Sequence, residues 1–268
     1  MAFCYVCFFT FFSAFEEDIW KSQIFFVTLS AINKKTQNKM NKMDIIVDNQ
    51  FWFSGYFSTV DSLSRTFLKN VDAGRTSWER RVVSEEEKLE MLKQGDTLVL
   101  AGSIPSSMPS DIYSRILEAL NGRRIRFVVD ATKNLLLNVL QFRPFLIKPN
   151  NHELGEIFGV TLVSKDDVVP YAKKLQEMGA VNVLVSMGKD GAILVDEKGA
   201  VHDMMAPDGK VVNTVGAGDS MVAGFLAGYY EKNDYEYAFK LSVATGSASA
   251  FSKDLATRDE IFEVLKNM

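Results

Sequence analysis

The chain has 268 residues, 47% of them hydrophobic and 24% charged, with a formal net charge of −4. That composition supports a globular protein with a sizeable core, in one large domain or two small ones, and its acidic balance excludes the basic footprint of a nucleic-acid binder. The only cysteines, Cys4 and Cys7, exclude a disulfide framework and fit a reducing, cytoplasmic setting.

Residues 1–15 are almost wholly apolar and rich in Phe. They are too short for a membrane span of roughly 20 residues and lack the basic start of a signal peptide. Cys4 and Cys7 are followed by no second ligand pair, and His152 and His202 are the only histidines, so a zinc site is not expected. Lys34-Lys35 to Lys42 is polar and rich in Asn and Lys, and residues 44–83 settle on neither the strand nor the helix period. Residues 1–83 therefore form an atypical segment with no assignable element, and residues 84–268 form the domain.

From Ser84 the pattern becomes regular. It predicts a helix over Glu85–Gln94, a buried strand over Thr97–Ala101 and a helix over Asp111–Leu120 ended by Asn121-Gly122. A strand over Ile125–Asp130, a helix over Lys133–Leu140 and a strand over Phe145–Lys148 follow. Next come helices over Asn151–Phe158 and Asp166–Met178, then strands over Asn182–Ser186 and Ala192–Asp196. The last three helices are Met221–Glu231, Tyr235–Phe251 and Thr257–Leu265, with Thr257 as cap and Glu260 at capping-box spacing. Strands alternating with helices of this length predict an α/β sandwich with a mostly parallel sheet. Such sheets bind ligands at the carboxyl ends of their strands.

Four motifs fall at those ends. Asn213-Thr-Val-Gly-Ala-Gly-Asp-Ser220 is a glycine-bracketed turn before an apolar helix. Free N–H groups and the helix dipole make such a turn a phosphate site. Asp219 beside it is placed to take a proton from an attacking hydroxyl, as phosphoryl transfer requires. A plain helix start, with Asp219 as an ordinary dipole partner, gives the same string. Neither a P-loop nor a complete G-x-G-x-x-G occurs. In Lys148-Pro-Asn-Asn-His-Glu153, Asn150 and Glu153 could order water around Mg²⁺ or simply cap a helix. Ser186-Met-Gly-Lys-Asp-Gly191 offers backbone to an anionic or flat ligand, or is a plain hairpin turn. Gly102-Ser103 offers an N–H and a hydroxyl to a sugar or its phosphate, or is only the loop before Pro105. Gly246–Ala250 is small-residue helix packing, or the wall of an adenine pocket.

Together with Leu100-Ala-Gly-Ser-Ile-Pro105, these motifs resemble, in order and spacing, the ribokinase-like (PfkB) carbohydrate kinases. The likeness runs from about Ser84 to Met268. It implies a three-layer α/β/α sandwich and an ATP-dependent kinase acting on a sugar phosphate. The first expectation is fructose 1-phosphate converted to fructose 1,6-bisphosphate, with tagatose 6-phosphate next. By position, Asp219 resembles the catalytic base, and Gly216, Ala217 and Gly218 the anion hole. Ser186, Met187, Gly188, Lys189, Asp190 and Gly191 resemble the ATP-binding segment, continued by Gly218 and Asp219. Lys148 and Ser247 fall on the nucleotide side, and Gly102 and Ser103, with Asp219, on the substrate side. Asn150 and Glu153 resemble the pair tied to Mg²⁺. A homodimer is possible, since a lid often pairs subunits in this superfamily.

The N-terminal third departs from the family. No Gly-Gly-Lys-Gly-x-Asn segment, the sugar grip, occurs in residues 1–83. The expectation is a truncated or otherwise atypical N-terminus, with some strands and the lid incomplete. The alternative function is a non-catalytic remnant that binds nucleotide.

Overall fold

Successive residues of a strand point to opposite faces of a sheet, and the central strands here bury both faces. In β5 (Thr97–Ala101), Leu98 and Leu100 enter one apolar core, Val99 and Ala101 the other. The same alternation recurs in β6 (Arg126–Asp130), β7 (Leu146–Ile147), β8 (Asn182–Ser186) and β9 (Ala192–Val195). Two separate cores on one sheet require helices on both sides, which is a three-layer α/β/α sandwich. The computed structural model describes residues 24–28, 41–47, 51–57, 78–81, 92, 94–101 and 110–268.

One face is covered by α1 (Ile112–Ala119), α2 (Lys133–Val139), α3 (Asn151–Phe158) and α4 (Lys165–Glu177), which contribute Tyr113, Leu117, Leu136, Leu154 and Leu175. The other is covered by α5 (Ala217–Lys232), α6 (Tyr235–Phe251) and α7 (Arg258–Lys266). Before β5 lie β1 (Ile24–Thr28), β2 (Asn41–Val47), β3 (Phe51–Phe57) and β4 (Trp78–Arg81); β10 (Val201–Met204) follows β9. The sheet order is β10-β9-β8-β7-β6-β5-β1-β3-β2-β4. The run from β8 to β3 is parallel, and β9, β10, β2 and β4 pair antiparallel with their neighbours.

Helix α5 is apolar on every side and is buried from Ser220 to Gly228, as expected of a helix sandwiched in a core. Glycines set its approach to α6. A Cβ at Gly224 would lie 2.5 Å from Thr245 Oγ1 and 2.8 Å from the Leu241 carbonyl oxygen. A Cβ at Gly228 would lie 2.8 Å from Ala238 Cα, and one at Gly246 would overlap Met221 Cγ. At the far end of α5, Arg126 Nη1 donates to the Tyr230 hydroxyl at 2.7 Å. Its guanidinium lies 4.6 Å from the Phe145 ring centre and 5.5 Å from that of Tyr229. The hydroxyls of Thr97 and Tyr230 are also bonded.

The predicted elements from Thr97 on are present, with ends shifted by a few residues. The predicted helix over Glu85–Gln94 lies almost wholly outside the described residues. Helix α5 begins at Ala217, not Met221, so Gly218 and Asp219 belong to its first turn. The short edge strand β10 has no counterpart in the sequence reading. Nor do β1 to β4, whose backbone enters the sheet where no period could be traced. Ile24-Phe-Phe-Val27 is a short apolar run without alternation, so no strand period could be read from it, and its backbone pairs in parallel with both β3 and β5. Among the described residues no helix is long and apolar enough to cross a membrane.

Candidate active site

The parallel strands end on one side of the sheet, and the motif residues gather there. Gly216 caps α5 with φ 83°, a left-handed conformation that glycine accepts without strain. The cap is fixed by its neighbours. Val215 N donates to Asn213 Oδ1 at 3.0 Å, Ala217 N to the Thr214 carbonyl at 3.2 Å, and Ser220 N to the Gly216 carbonyl at 2.9 Å. Ahead of that first helical bond lies the helix N-terminus, where backbone N–H groups characteristically point outward. Asp219 is partly exposed in that turn.

Lys148 follows β7 and is buried, with 7% of its surface exposed. Its Nζ lies 3.2 Å from Asp130 Oδ2, at the end of the adjacent strand β6. Burial pushes its pKa down, but the carboxylates of Asp130, Asp219 and Glu153 outweigh burial and hold it above the ordinary lysine value. The same ammonium is packed against the cradle. A Cβ at Gly218 would come within 2.9 Å of Lys148 Nζ.

Asn150 and Glu153 form a reciprocal capping box at the start of α3. Asn150 Oδ1 accepts from Glu153 N, and Glu153 Oε2 accepts from Asn150 N, each at 2.8 Å. An isolated bridge ties Asn150 to Ser186, so this corner abuts the predicted ATP segment. Capping occupies one oxygen of each side chain. Among the described residues no group of three or more His, Cys, Asp or Glu side chains could hold a metal ion. The donor set fits a hydrated ion bound mainly through a ligand's own phosphates, as Mg²⁺ prefers, and does not fit an all-protein cage.

A cleft of about 380 Å³ opens beside the cradle. Ser186, Gly188, Lys189, Gly191, Ala217, Gly218 and Ser247 line it; all but Ala217, expected in the anion hole, are residues that the sequence reading set on the nucleotide side. Asp190 is exposed and outside the lining. The Met187 side chain faces the core and packs with the α1–α4 layer, because its N–H and carbonyl close the 3₁₀ turn Gly188–Asp190. Its side chain is therefore absent from the cleft lining. Gly246 serves helix packing and lining together. Gly102 and Ser103 lie outside the described residues.

Sequence reasoning missed Ala206 to Gly209, Val211, Val243 and Phe251, which line the cleft together with Ala250 of the small-residue run. The Phe251 ring presses on Gly209, where any Cβ would overlap it. The turn triplet Pro207-Asp208-Gly209 was the available signal for that wall. Val212 N and Asn213 N both donate to the Ala250 carbonyl, at 2.8 and 3.1 Å, which joins the wall to the cradle loop. Asp130 was also missed, although an Asp ending a parallel strand sits where such sheets bind ligands.

A left-handed glycine cap, an acid in the first helical turn, a buried lysine and an adjoining cleft meet at this end of the sheet. The family described as pfkB family carbohydrate kinase matches residues 55–260, and the chain belongs to that family. It is 46% identical over 204 residues to a 1-phosphofructokinase of Bacillus subtilis, covering 74% of this chain and 67% of that protein. It is 34% identical over 189 residues to a D-tagatose-1-phosphate kinase of Bacillus licheniformis, covering 70% of this chain and 62% of that protein. The chain thus spans about two thirds of the length of these curated relatives. Among solved structures, it is similar to the phosphofructokinase-2 of Escherichia coli in complex with substrates and products. That match has a TM-score of 0.63 and 28% identity, over 71% of this chain and 66% of the other.

Proposed function

We propose that the chain is an ATP-dependent sugar-phosphate kinase, and that its substrate is fructose 1-phosphate. In this reading the 6-hydroxyl oxygen attacks the γ-phosphorus of ATP, and Asp219 takes the hydroxyl proton. The bond from the γ-phosphorus to the β,γ-bridging oxygen breaks, and ADP leaves with that oxygen. The observation that carries the reading is Asp219 beside the Gly216–Gly218 cradle, with the buried Lys148 beneath and the cleft alongside.

The 380 Å³ cleft falls in the range of small-molecule sites. Ser247 and Phe251 would border the base, and Ser186, Gly188, Lys189 and Gly191 the ribose and phosphates. Gly216, Ala217 and Gly218 would hold the transferred group. Mg²⁺, arriving with ATP, would neutralise phosphate charge near Asn150 and Glu153. Charge supports that need. Asp130, Asp219 and Glu153 all bear on Lys148, so a bound polyphosphate would add to carboxylate charge already close by, which a divalent cation would offset. Gly102 and Ser103 would meet the sugar.

One observation favours a second reading. No Gly-Gly-Lys-Gly-x-Asn segment occurs in the chain, which supports a remnant that binds nucleotide without transferring phosphate. ADP release with fructose 1-phosphate, tagatose 1-phosphate, tagatose 6-phosphate and fructose 6-phosphate separates the two. Turnover fastest with fructose 1-phosphate supports the kinase. ATP binding with no ADP above background from any sugar sinks it in favour of the remnant.

A further inference from the structure

The loop that runs from β10 to the cradle is held at its start, middle and end. At the start, a Cβ on Gly191 would overlap the Met204 carbonyl and lie 2.7 Å from Ala206 N, so the loop sits directly on the Ser186–Gly191 turn. In the middle, Gly209 is absent from the positive-φ residues, so its backbone does not call for glycine. Its missing side chain instead makes room for the Phe251 ring, which any Cβ there would overlap. At the end, Val212 N and Asn213 N are bonded to the Ala250 carbonyl. The backbone of Asp208 is thereby fixed beside the ring.

Asp208 differs from the other polar residues of the cleft. Ser186, Thr214 and Ser247 bring hydroxyls and Lys189 an ammonium, all able to donate. Among the described lining residues Asp208 alone brings a carboxylate, which only accepts. It is exposed, and no hydrogen bond or ion pair with another described residue engages it. We propose that Asp208 reads the nucleobase, accepting a hydrogen bond from the 6-amino group of adenine and repelling the 6-oxo group of hypoxanthine. The Phe251 ring borders the flat face of the base, so the neighbouring carboxylate meets its edge. Lys189, on the Ser186–Gly191 turn, is left to the ribose and phosphates. Discrimination then has an attractive part and a repulsive part, as specific sites commonly do.

The inference rests on the nucleotide side of the reading above and is tested by binding, apart from sugar turnover. The affinities of ADP, IDP, GDP, purine-riboside diphosphate and 2′-deoxy-ADP, each with Mg²⁺, are measured calorimetrically. The proteins are wild type, Asp208→Ala and Asp208→Lys. Wild type should bind ADP about tenfold or more tighter than IDP, the scale of one hydrogen bond to a charged group. Purine-riboside diphosphate, which has no 6-substituent, should fall between them. Asp208→Ala should bring all three within about threefold of one another. Asp208→Lys sets a donor where the acceptor stood and should reverse the order. Both variants should melt with wild type, because Asp208 is exposed. A wild type indifferent to the 6-substituent overturns the proposal, as does one that prefers GDP. So does a preference for ADP over IDP that survives Asp208→Ala. A loss with 2′-deoxy-ADP that disappears in Asp208→Ala overturns it too, by assigning the carboxylate to the ribose. Binding of no nucleotide overturns the nucleotide reading on which the inference stands. The expected base preference without turnover on any sugar phosphate supports the inference and overturns only the kinase reading.

Discussion

Ser249 donates to Ser220 across 2.9 Å, joining α6 to α5 one residue after Asp219. Ser242 adds a second bond, to the Met221 carbonyl at 2.7 Å. Both hydroxyls are buried, so each needs its partner. The helix that lines the cleft through Ser247, Ala250 and Phe251 is thereby fixed to the helix that carries the acid.

Asp219→Ala is expected to abolish ADP release while ATP affinity stays within about threefold of wild type. General-base contributions are about 10²–10⁴-fold. Stopped turnover with intact calorimetric binding is the predicted result. A collapse of ATP binding would assign Asp219 to the nucleotide instead.

Phe251→Ala removes the ring that presses on Gly209. ATP affinity should fall roughly tenfold as aromatic contact is lost, with turnover at saturating ATP little changed. A change confined to turnover would place the base elsewhere.

The order of elements beyond residue 97 was legible because periodicity, caps and turns are local. Thr257 and Glu260 form the predicted capping box, with Glu260 Oε2 accepting from Thr257 N. The start of α5 was misjudged for a physical reason. Gly-Ala-Gly reads as a turn, yet only Gly216 leaves helical space, and Gly218 winds into the helix. Strand β10 was invisible because Val-His-Asp-Met is too short and mixed to carry a period. The pairing of Asp130 with Lys148 is tertiary. It exists because β6 and β7 are neighbours in the sheet, and no spacing rule encodes that.

Gly224→Ala tests the α5–α6 seam. Its methyl meets the Leu241 carbonyl and Thr245, and overpacking of this kind costs about 1–3 kcal/mol. Thermal melting should show the loss. Residual folded protein should bind ATP normally, because Gly224 does not line the cleft. An unchanged melting temperature would mean that the helices can separate at little cost.

Asp196 closes the β9–β10 turn. Its carboxylate accepts from Lys198 N at 2.9 Å and Ala200 N at 3.0 Å, and pairs with His202 Nε2 at 3.0 Å. Burial raises its pKa, but the His202 bond and the two amides outweigh burial and hold it below the ordinary 3.8. A depressed carboxylate stabilises the fold above its unfolded pKa and loses that contribution as pH falls through the folded value. Asp196→Asn should therefore cost about 1–3 kcal/mol at neutral pH. The gap from wild type should persist to about pH 5 and shrink below the ordinary carboxylate value. A gap that stays constant down to pH 2 would count against the ionised carboxylate as its source.

The Arg126 stack has a consequence for motion during turnover. Helix α5 carries the acid at its first turn, and its last turns hold Tyr229 and Tyr230, gripped by Arg126 and Thr97. From Asp219 to Tyr230 the helix rises about 16 Å. A rod clamped at both ends cannot work as a piston, so if Asp219 is the base it would act as an anvil, and any induced fit would have to bring the sugar to it.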